Sequence, residues 1–407
     1  MRASVPSGAG SASRDQAPGR WSTLLLLSLA ELLGMSLWFT ASAVGPELRL
    51  LWGLSDGQVG WLTTTVQLGF VAGTGVVAVL NLADLLPARR LFASAAALGG
   101  GANLLLLWTP GYAGALIARF LTGFFLAGVY PPAMKMISTW FRSARGLAIG
   151  TVVGALTVGK ASPYLLKALP SLSLDMVVAG ASGAALLGSL LVLLGYREGP
   201  FPFARAPFSW DLVPRVLRHR PTRLAIGGYL GHMWELYAAW VSASLFFFAI
   251  LGREWAADFA AFGMIAAGGI GAVLAGRWAD LWGRERMTII MMVISGSCAL
   301  TIGWLGRWPV LAIAVGLVWG FTIVADSAQF SAVLTEVAPA DAVGTGLTLQ
   351  TCLGFALTGI SIQLMTWIVD ATSWGVAYSV LAIGPLLGIV SMVRLWRVRR
   401  EGENAGI

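Results

Sequence analysis

Seven ionisable residues lie inside segments that are otherwise strongly apolar: Glu31, Arg119, Lys135, Lys160, His232, Glu235 and Asp326. Ionisable side chains in such surroundings are costly and rare, so each one is a candidate for function. Leucine at these positions would serve an apolar segment better. We therefore interpret them as signs of a polar cavity within the apolar body of the protein.

The basic residues Arg119 and Lys160 are predicted to bind the substrate. A guanidinium stays charged and presents five donors in a fixed geometry, so Arg119 suits a carboxylate or an oxyanion. Alternatively, Arg119 forms a structural pair with an acid such as Glu31. Lys160 follows Gly150 and Gly154 in GTVVGALTVGK. Because glycines permit close helix packing, Lys160 faces either the cavity or a helix interface.

Four residues are predicted to bind protons. Burial disfavours an ionised carboxylate and a nearby cation favours it, so arrival of a substrate could switch the protonation of Glu31 or Glu235. His232 lies three residues before Glu235, on the same helix face, and could join a relay, as could Asp326. Packing is the alternative role for His232. The segment HMWE offers no third ligand, so no metal site is predicted.

Further predicted substrate contacts are polar or aromatic residues expected near these charges: Trp38, Tyr130, Trp234, Tyr237, Gln329 and Gln350. Tryptophan more often packs or lies at a membrane interface, so only some of these are expected in the site.

The elements that must position these residues are transmembrane helices. Of the 407 residues, 57% are hydrophobic and 11% are charged, whereas soluble domains have about 25% charged residues. Twelve apolar segments of helical length are predicted, at 21–44, 58–81, 90–108, 112–140, 145–169, 174–195, 223–251, 257–276, 287–305, 308–335, 343–369 and 373–396. The predicted fold class is an all-α membrane protein with two six-helix halves.

The predicted organisation is a disordered tail (1–20), a first half (21–195), a linker (196–222), a second half (223–396) and a tail (397–407). With the N-terminus inside, twenty of the 27 lysines and arginines fall on the cytoplasmic side and four on the external side. This bias predicts a multi-pass protein of the inner or plasma membrane with both termini cytoplasmic. The basic residues sit mostly in short loops, so nucleic-acid binding is not expected.

Two similar segments lie 196 residues apart, LNLADLLPARR (80–90) and GRWADLWGRER (276–286). The second resembles the G-x-x-x-D-x-x-G-R-[KR]-[KR] loop of the major facilitator superfamily through Gly276, Asp280, Gly283, Arg284 and Arg286. It departs from that pattern at Glu285. The first copy keeps Asp84, Arg89 and Arg90. In addition, RFLTGFFLAG (119–128) resembles the R-x-x-x-G pattern in the fourth helix of this superfamily.

The resemblance implies a transporter that works by alternating access, with its substrate site between two repeated halves. It also implies that the two segments are gating loops, whose charged pairs latch the halves in one state. A plain topology signal is the alternative for these loops.

A small anion is the predicted solute, either a monocarboxylate or an inorganic oxyanion, moved with or without protons. If Glu31 or Glu235 is protonated and His232 is neutral, the buried charge is net positive. The glycine-rich segments in helices 5 and 11 resemble those of the nitrate, nitrite and cyanate transporters. That branch clasps its anion with arginines in helices 2 and 8, which are absent here and argue against nitrate itself.

The alternative within transport is a proton-coupled exporter of drugs or metabolites. Helix 5 resembles the antiporter pattern G-x-x-x-G-P-x-x-G-G at Gly150 and Gly154, but it has Ala155 where proline is expected. No GxxxxGK[ST], HExxH or GxSxG motif occurs, so gradient-driven transport is expected rather than an enzyme. The expected partners are the solute and the lipid bilayer, with no cofactor, and the protein is expected to act as a monomer.

Overall fold

The structure is a computed structural model that describes residues 17–142, 144–169, 172–201 and 207–404. Within these ranges, the side chains of Asp84 and of residues 402–404 are outside the description. Most of the predicted disordered tail, 1–16, lies outside the described residues.

The described residues form helices and no strands, which confirms the predicted all-α class. We number the long segments α1 (Arg20–Met35), α2 (Asp56–Val79), α3 (Ala88–Leu107), α4 (Tyr112–Ser138), α5 (Arg145–Lys167), α6 (Leu174–Gly195), α7 (Arg220–Leu251), α8 (Glu254–Trp282), α9 (Arg284–Ile302), α10 (Pro309–Val337), α11 (Ala340–Ala371) and α12 (Trp374–Glu401). Among the described residues, eleven of these, α2 to α12, are long and apolar enough to cross a membrane. The predicted count of twelve is reached only by including α1, which has 16 residues.

The helices pack as two groups of six. In the first group α1 packs on α5 and α6, and α4 packs on α2 and α3. In the second, α7 packs on α11 and α12, and α10 packs on α8 and α9. The groups meet where α2 runs along α11 and where α5 runs along α8. Both described chain ends and the connection between the groups lie on one side of the bundle, here called the terminal side; the opposite side is the far side.

Backbone contact between α5 and α8 closes the bundle on the terminal side. A methyl group on Gly150 would lie 2.6 Å from the carbonyl oxygen of Ala272, and one on Gly154 would lie 2.7 Å from that of Gly269. Side chains do not approach a backbone so closely, so only glycine permits this packing. The glycine face predicted from the sequence therefore joins the two halves.

The first helix is shorter than the predicted segment 21–44. It ends at Met35, and two short helices, Thr40–Ala43 and Gly45–Trp52, follow. Arg119 donates to the carbonyl oxygens of Leu37 and Trp38, at 3.0 and 2.6 Å. These carbonyls are thus satisfied without a continuing helix, which explains the break.

Three other predicted boundaries also differ from the structure. The segment GRWADLWGRER, predicted as a loop, is helical through Trp282, and only Gly283, with φ +85°, separates α8 from α9. The helix α7 begins at Arg220 rather than Arg223. The predicted tail from 397 continues as helix to Asn404. A hydropathy pattern placed these boundaries wrongly because polar and charged residues at a helix end lower the local hydropathy although the backbone stays helical.

Candidate functional site

Two cavities lie between the halves. The larger, of about 530 Å³, opens on the far side and reaches Lys167 of α5 and Asp258 of α8. The smaller has a volume of about 70 Å³, lies deeper and is bounded by helices of both halves. It is here called the central cavity, and the larger one is called the far-side cavity. Tyr237 and Trp240 line the central cavity, whereas Val241 of the same helix lines the far-side cavity. A layer of aromatic rings therefore lies between the two.

Lys160 is buried in the wall of the central cavity. Its Nζ lies 4.0 Å from the ring centre of Trp38 and 4.8 Å from that of Tyr237, and it donates a hydrogen bond to the Tyr237 hydroxyl. Rings attract a cation through their negative faces, so this arrangement holds the ammonium in place. Of the two sequence alternatives for Lys160, the cavity-facing one matches this geometry.

Glu31 lies on α1, which packs along α5, the helix that carries Lys160. The two helices touch at Gly159, where a methyl group would lie 2.2 Å from the carbonyl oxygen of Leu32. Glu31 is fully buried, and neither of its carboxylate oxygens has a hydrogen-bond partner among the described residues. A buried carboxylate without donors favours the protonated form, which suits a proton-binding group.

Arg119 lies away from both cavities, inside the first half. Besides the carbonyls of Leu37 and Trp38, it donates to Oδ1 of Asn103 at 2.6 Å. Asn103 in turn donates to Ser182 of α6 at 2.9 Å. These bonds join the turn after α1 to α3, α4 and α6, so the geometry favours a structural role. Substrate binding by Arg119 stays a prediction.

Glu235 lies in a corresponding place in the second half. Its carboxylate accepts from the indole of Trp319 at 2.6 Å and from the hydroxyl of Ser295 at 3.0 Å. In each half, a buried polar cluster thus joins the first, third and fourth helices. Glu235 does not line the described central cavity, and its predicted proton binding is untested.

The side chains of His232 and Asp326 form a close pair between α7 and α10. Nδ1 of His232 lies 2.9 Å from Oδ1 of Asp326, and both side chains are buried. Asp326 stands where α10 is interrupted, between the helices Pro309–Ala325 and Ser327–Val337. The His232 ring also packs against Phe330. The pair lies at the back of the cavity wall rather than in it.

The other predicted substrate contacts divide into two groups. Trp38, Tyr130 and Tyr237 line the central cavity. Of the other three, Trp234 bonds to the carbonyl of Val380 and Gln329 to Arg284, and neither lines the cavity, whereas Gln350 donates to Ser331, which does. Their spacing on amphipathic helices did not reveal which face each one presents.

Several cavity residues had no signal in the sequence. The aromatic ones are Phe70, Tyr229, Trp240 and Phe355, and the hydroxyl-bearing ones are Thr157, Ser327, Ser331 and Thr351. Phe70 and Phe355 lie on α2 and α11, the helices along which the halves meet, so they could be found only once that packing was known.

The predicted gating segments make contacts both within and between the halves. The carboxylate of Asp280 lies beside the first turn of α5, since a methyl group on Gly146 would be 3.3 Å from its Oδ2. A helix N-terminus attracts an anion, so this contact suits a latch between the halves. Arg284 instead bonds to Glu336 at 2.6 Å, within its own half.

Glu285, which departs from the loop pattern, accepts from Arg399 of α12 at 2.5 Å. Arg286 lies over the ring of Trp396. In the first copy, Arg89 and Arg90 occupy the first turn of α3. The side chain of Asp84 lies outside the described residues, but Lys135 donates to the neighbouring carbonyl of Ala83 at 2.5 Å.

Two six-helix halves around a central cavity, closed on one side and approached from the other, are an architecture found in secondary transporters. The sequence model of the Major Facilitator Superfamily matches residues 26–253 and 253–407. The chain therefore belongs to the major facilitator superfamily, as the sequence motifs predicted, and it is a membrane transporter rather than an enzyme.

Relatives and solved structures agree with this assignment. The chain is 24% identical to the MFS transporter asaE of Aspergillus flavus over 319 residues, which cover 74% of this chain and 69% of asaE. It is 32% identical to the puromycin resistance protein pur8 of Streptomyces alboniger over 151 residues, 37% of this chain and 29% of pur8. The second match thus spans less than a third of that relative.

The fold is similar to crystal structures of a bacterial homologue of the human lysosomal transporter Spinster. The inward-facing, unoccupied form gives a TM-score of 0.67 at 15% identity, covering 93% of this chain and 96% of that one. The inward-facing, occupied form gives 0.69 at 14% identity, covering 95% and 98%. At this identity the likeness shows the fold alone.

Proposed function

We propose that this protein is a proton-coupled secondary transporter of a small organic anion. Lys160 binds the anion, and Glu31 binds the coupling proton. The observation that carries the proposal is the position of the Lys160 ammonium, buried in the wall of the central cavity next to the contact between α1 and α5, where the buried carboxylate of Glu31 has no hydrogen-bond partner among the described residues. The aromatic walls favour an organic anion over an inorganic oxyanion, because a hydrated oxyanion gains little from rings.

Binding of the anion and binding of the proton are coupled because the substrate carboxylate and Glu31 are both affected by the positive charge of Lys160. In the empty site burial favours the protonated form of Glu31, and the positive charge of Lys160 opposes protonation. A substrate carboxylate that binds Lys160 offsets this opposing charge, so the affinity of Glu31 for a proton rises. Binding of the anion and of the proton therefore favour one another, and both would move in the same direction.

The two sides of the bundle supply the alternating access. The far-side cavity leads to the layer of aromatic rings that separates it from Lys160, and the α5–α8 contact closes the terminal side. By the bias of basic residues, the terminal side is cytoplasmic. We also propose that the protein acts as a monomer in the inner or plasma membrane. Separation of α5 from α8 would then release the solute to the cytoplasm.

The test is binding of sodium salts of small carboxylates and of nitrate to the purified protein between pH 5 and 8. We expect a carboxylate to bind more tightly at low pH, by up to tenfold per unit for one coupled proton. Glu31→Gln should bind it with no pH dependence, and Lys160→Gln should not bind it. Lys135→Gln is the matched control, because this lysine bonds to a backbone carbonyl away from the cavity.

Binding that persists in Lys160→Gln, or that does not depend on pH in the wild type, would contradict the proposal.

The second candidate function is proton-coupled export of amphipathic cations. It is favoured by the aromatic walls, by the unpartnered Glu31 and by the name of the relative pur8. In that case an amphipathic cation stabilises the wild type and Lys160→Gln alike, and Glu31→Gln abolishes the effect.

A further inference from the structure

The central cavity has two ends with different chemistry. Tyr237 and Tyr229 both line it and are eight residues apart on α7, about 12 Å along the helix. Lys160 bonds to Tyr237 at one end. At the other end Tyr229 packs against Phe330, the neighbour of Ser331, with 6.1 Å between ring centres. A solute that fills the cavity is therefore recognised at both ends.

The first end fits one carboxylate. Lys160 has donors to spare, and the Tyr237 hydroxyl, which accepts from Lys160, retains its own proton to donate. A carboxylate can accept from both, and hydrogen bonds between charged groups are the strong ones. The described lining of this cavity includes no second cation, so a solute with one negative charge matches it.

The middle of the cavity fits a ring. Trp38, Phe70, Tyr237 and Phe355 form one cluster, with ring centres 5.1 Å apart for Trp38 and Phe70, 4.4 Å for Phe70 and Phe355, and 5.4 Å for Tyr237 and Phe355. Two of these rings belong to each half. A planar aromatic solute could pack against rings of both halves at such distances, whereas an aliphatic body of the same size lacks this interaction.

The second end fits a polar substituent. The hydroxyls of Ser327, Ser331 and Thr351 line it. Ser331 accepts from Nε2 of Gln350 at 3.3 Å and so keeps its own proton to donate. Oε1 of the fully buried Gln350 has no partner among the described residues. A buried group of this kind favours a solute that supplies a hydrogen-bonding partner nearby.

We propose that the solute is an aromatic monocarboxylate with a hydroxyl or amino group opposite its carboxylate. This rests on the anion transport proposed above and narrows it to one substrate class. The cavity of about 70 Å³ holds the equivalent of about five waters, at roughly 15 Å³ each, which suits a compact single-ring solute.

The test measures dissociation constants of the purified full chain for four probes: 4-hydroxybenzoate, benzoate, 2-hydroxybenzoate and cyclohexanecarboxylate. We expect 4-hydroxybenzoate to bind about tenfold more tightly than benzoate or 2-hydroxybenzoate, the effect of one hydrogen bond. Cyclohexanecarboxylate keeps the charge and size of benzoate without the π system and should bind several-fold more weakly than benzoate.

Ser331→Ala should remove the preference for 4-hydroxybenzoate over benzoate, and Thr351→Val provides a second variant should the first fail to fold. Ser297→Ala, on the exposed face of α9, is the matched control. Equal binding of all four probes, abolished by Lys160→Gln, would overturn this inference and leave the anion transporter standing. If none of the four binds and the small carboxylates also fail, both proposals fall.

Discussion

Replacement of Arg119 by methionine separates a structural guanidinium from one that binds substrate. Methionine has a similar length and no donor, so it leaves Asn103 and the carbonyls of Leu37 and Trp38 without the partner they now have. A hydrogen bond to a charged group contributes about 1.5–3 kcal/mol, and the three are not additive. We therefore expect a loss of about 3–5 kcal/mol in the free energy of unfolding.

For a unit the size of one half, such a loss corresponds to a fall in Tm of roughly 10 °C. The assay is thermal unfolding in detergent, followed with a thiol-reactive fluorescent maleimide. It suits this chain because Cys298 is buried and Cys352 is half-buried, so both react faster on unfolding. Arg284→Met is the control: this arginine is partly exposed on the terminal side, and its loss should cost about 1 kcal/mol.

The decisive comparison is between stability and binding. If Arg119 is structural, Arg119→Met melts earlier but binds a carboxylate as the wild type does at a temperature where both are folded. A variant that melts with the wild type and no longer binds the carboxylate would refute this reasoning. Arg119 would then contact the substrate in a state other than the one described here.

Two further predictions concern the contacts between helices. Gly154→Val places a side chain where even a methyl group would lie 2.7 Å from the carbonyl of Gly269, so we expect the terminal side to open. In a Cys298→Ser background this should speed maleimide labelling of Cys352, which lies against α2, and unchanged labelling would contradict the prediction. Asp326→Asn should lower the free energy of unfolding by about 3–5 kcal/mol, because it breaks the buried pair with His232. A double-mutant cycle with His232→Gln should give a coupling of about 1–3 kcal/mol, and additive losses would show that the pair contributes nothing.

The sequence predicted the elements well where one signal was strong. Apolar length and the bias of basic residues predicted twelve helices, and the spacing of Asp84 and Asp280 predicted two repeated halves. Helix ends were predicted less well, because a hydropathy pattern holds no information on the hydrogen bonds that Arg119 donates to distant carbonyls. The charged residues and glycines after Gly276 predict a loop, yet the chain continues as helix to Trp282.

The candidate site was only partly within reach of the sequence. Buried charge is visible in one dimension, because an ionisable residue in an apolar run is rare wherever it points. Lys160 and Arg119 looked alike by that criterion, and the structure separates them: one lies in the cavity wall and the other inside a half. Whether a side chain faces the cavity or a neighbouring helix depends on which helices pack together. The sequence of a single helix does not contain this information.

The sequence by itself determined the membrane environment, the helical class and the superfamily, since these follow from composition, periodicity and short motifs. Only the tertiary structure decided which buried groups share a cavity. Trp38, Lys160, Tyr237 and Phe355 come from the turn after α1 and from three helices of the two halves, and they meet because α2 runs along α11 and α5 along α8. Such contacts arise from packing between distant segments, where glycine faces and ring shapes act together, so they exist only in the folded chain.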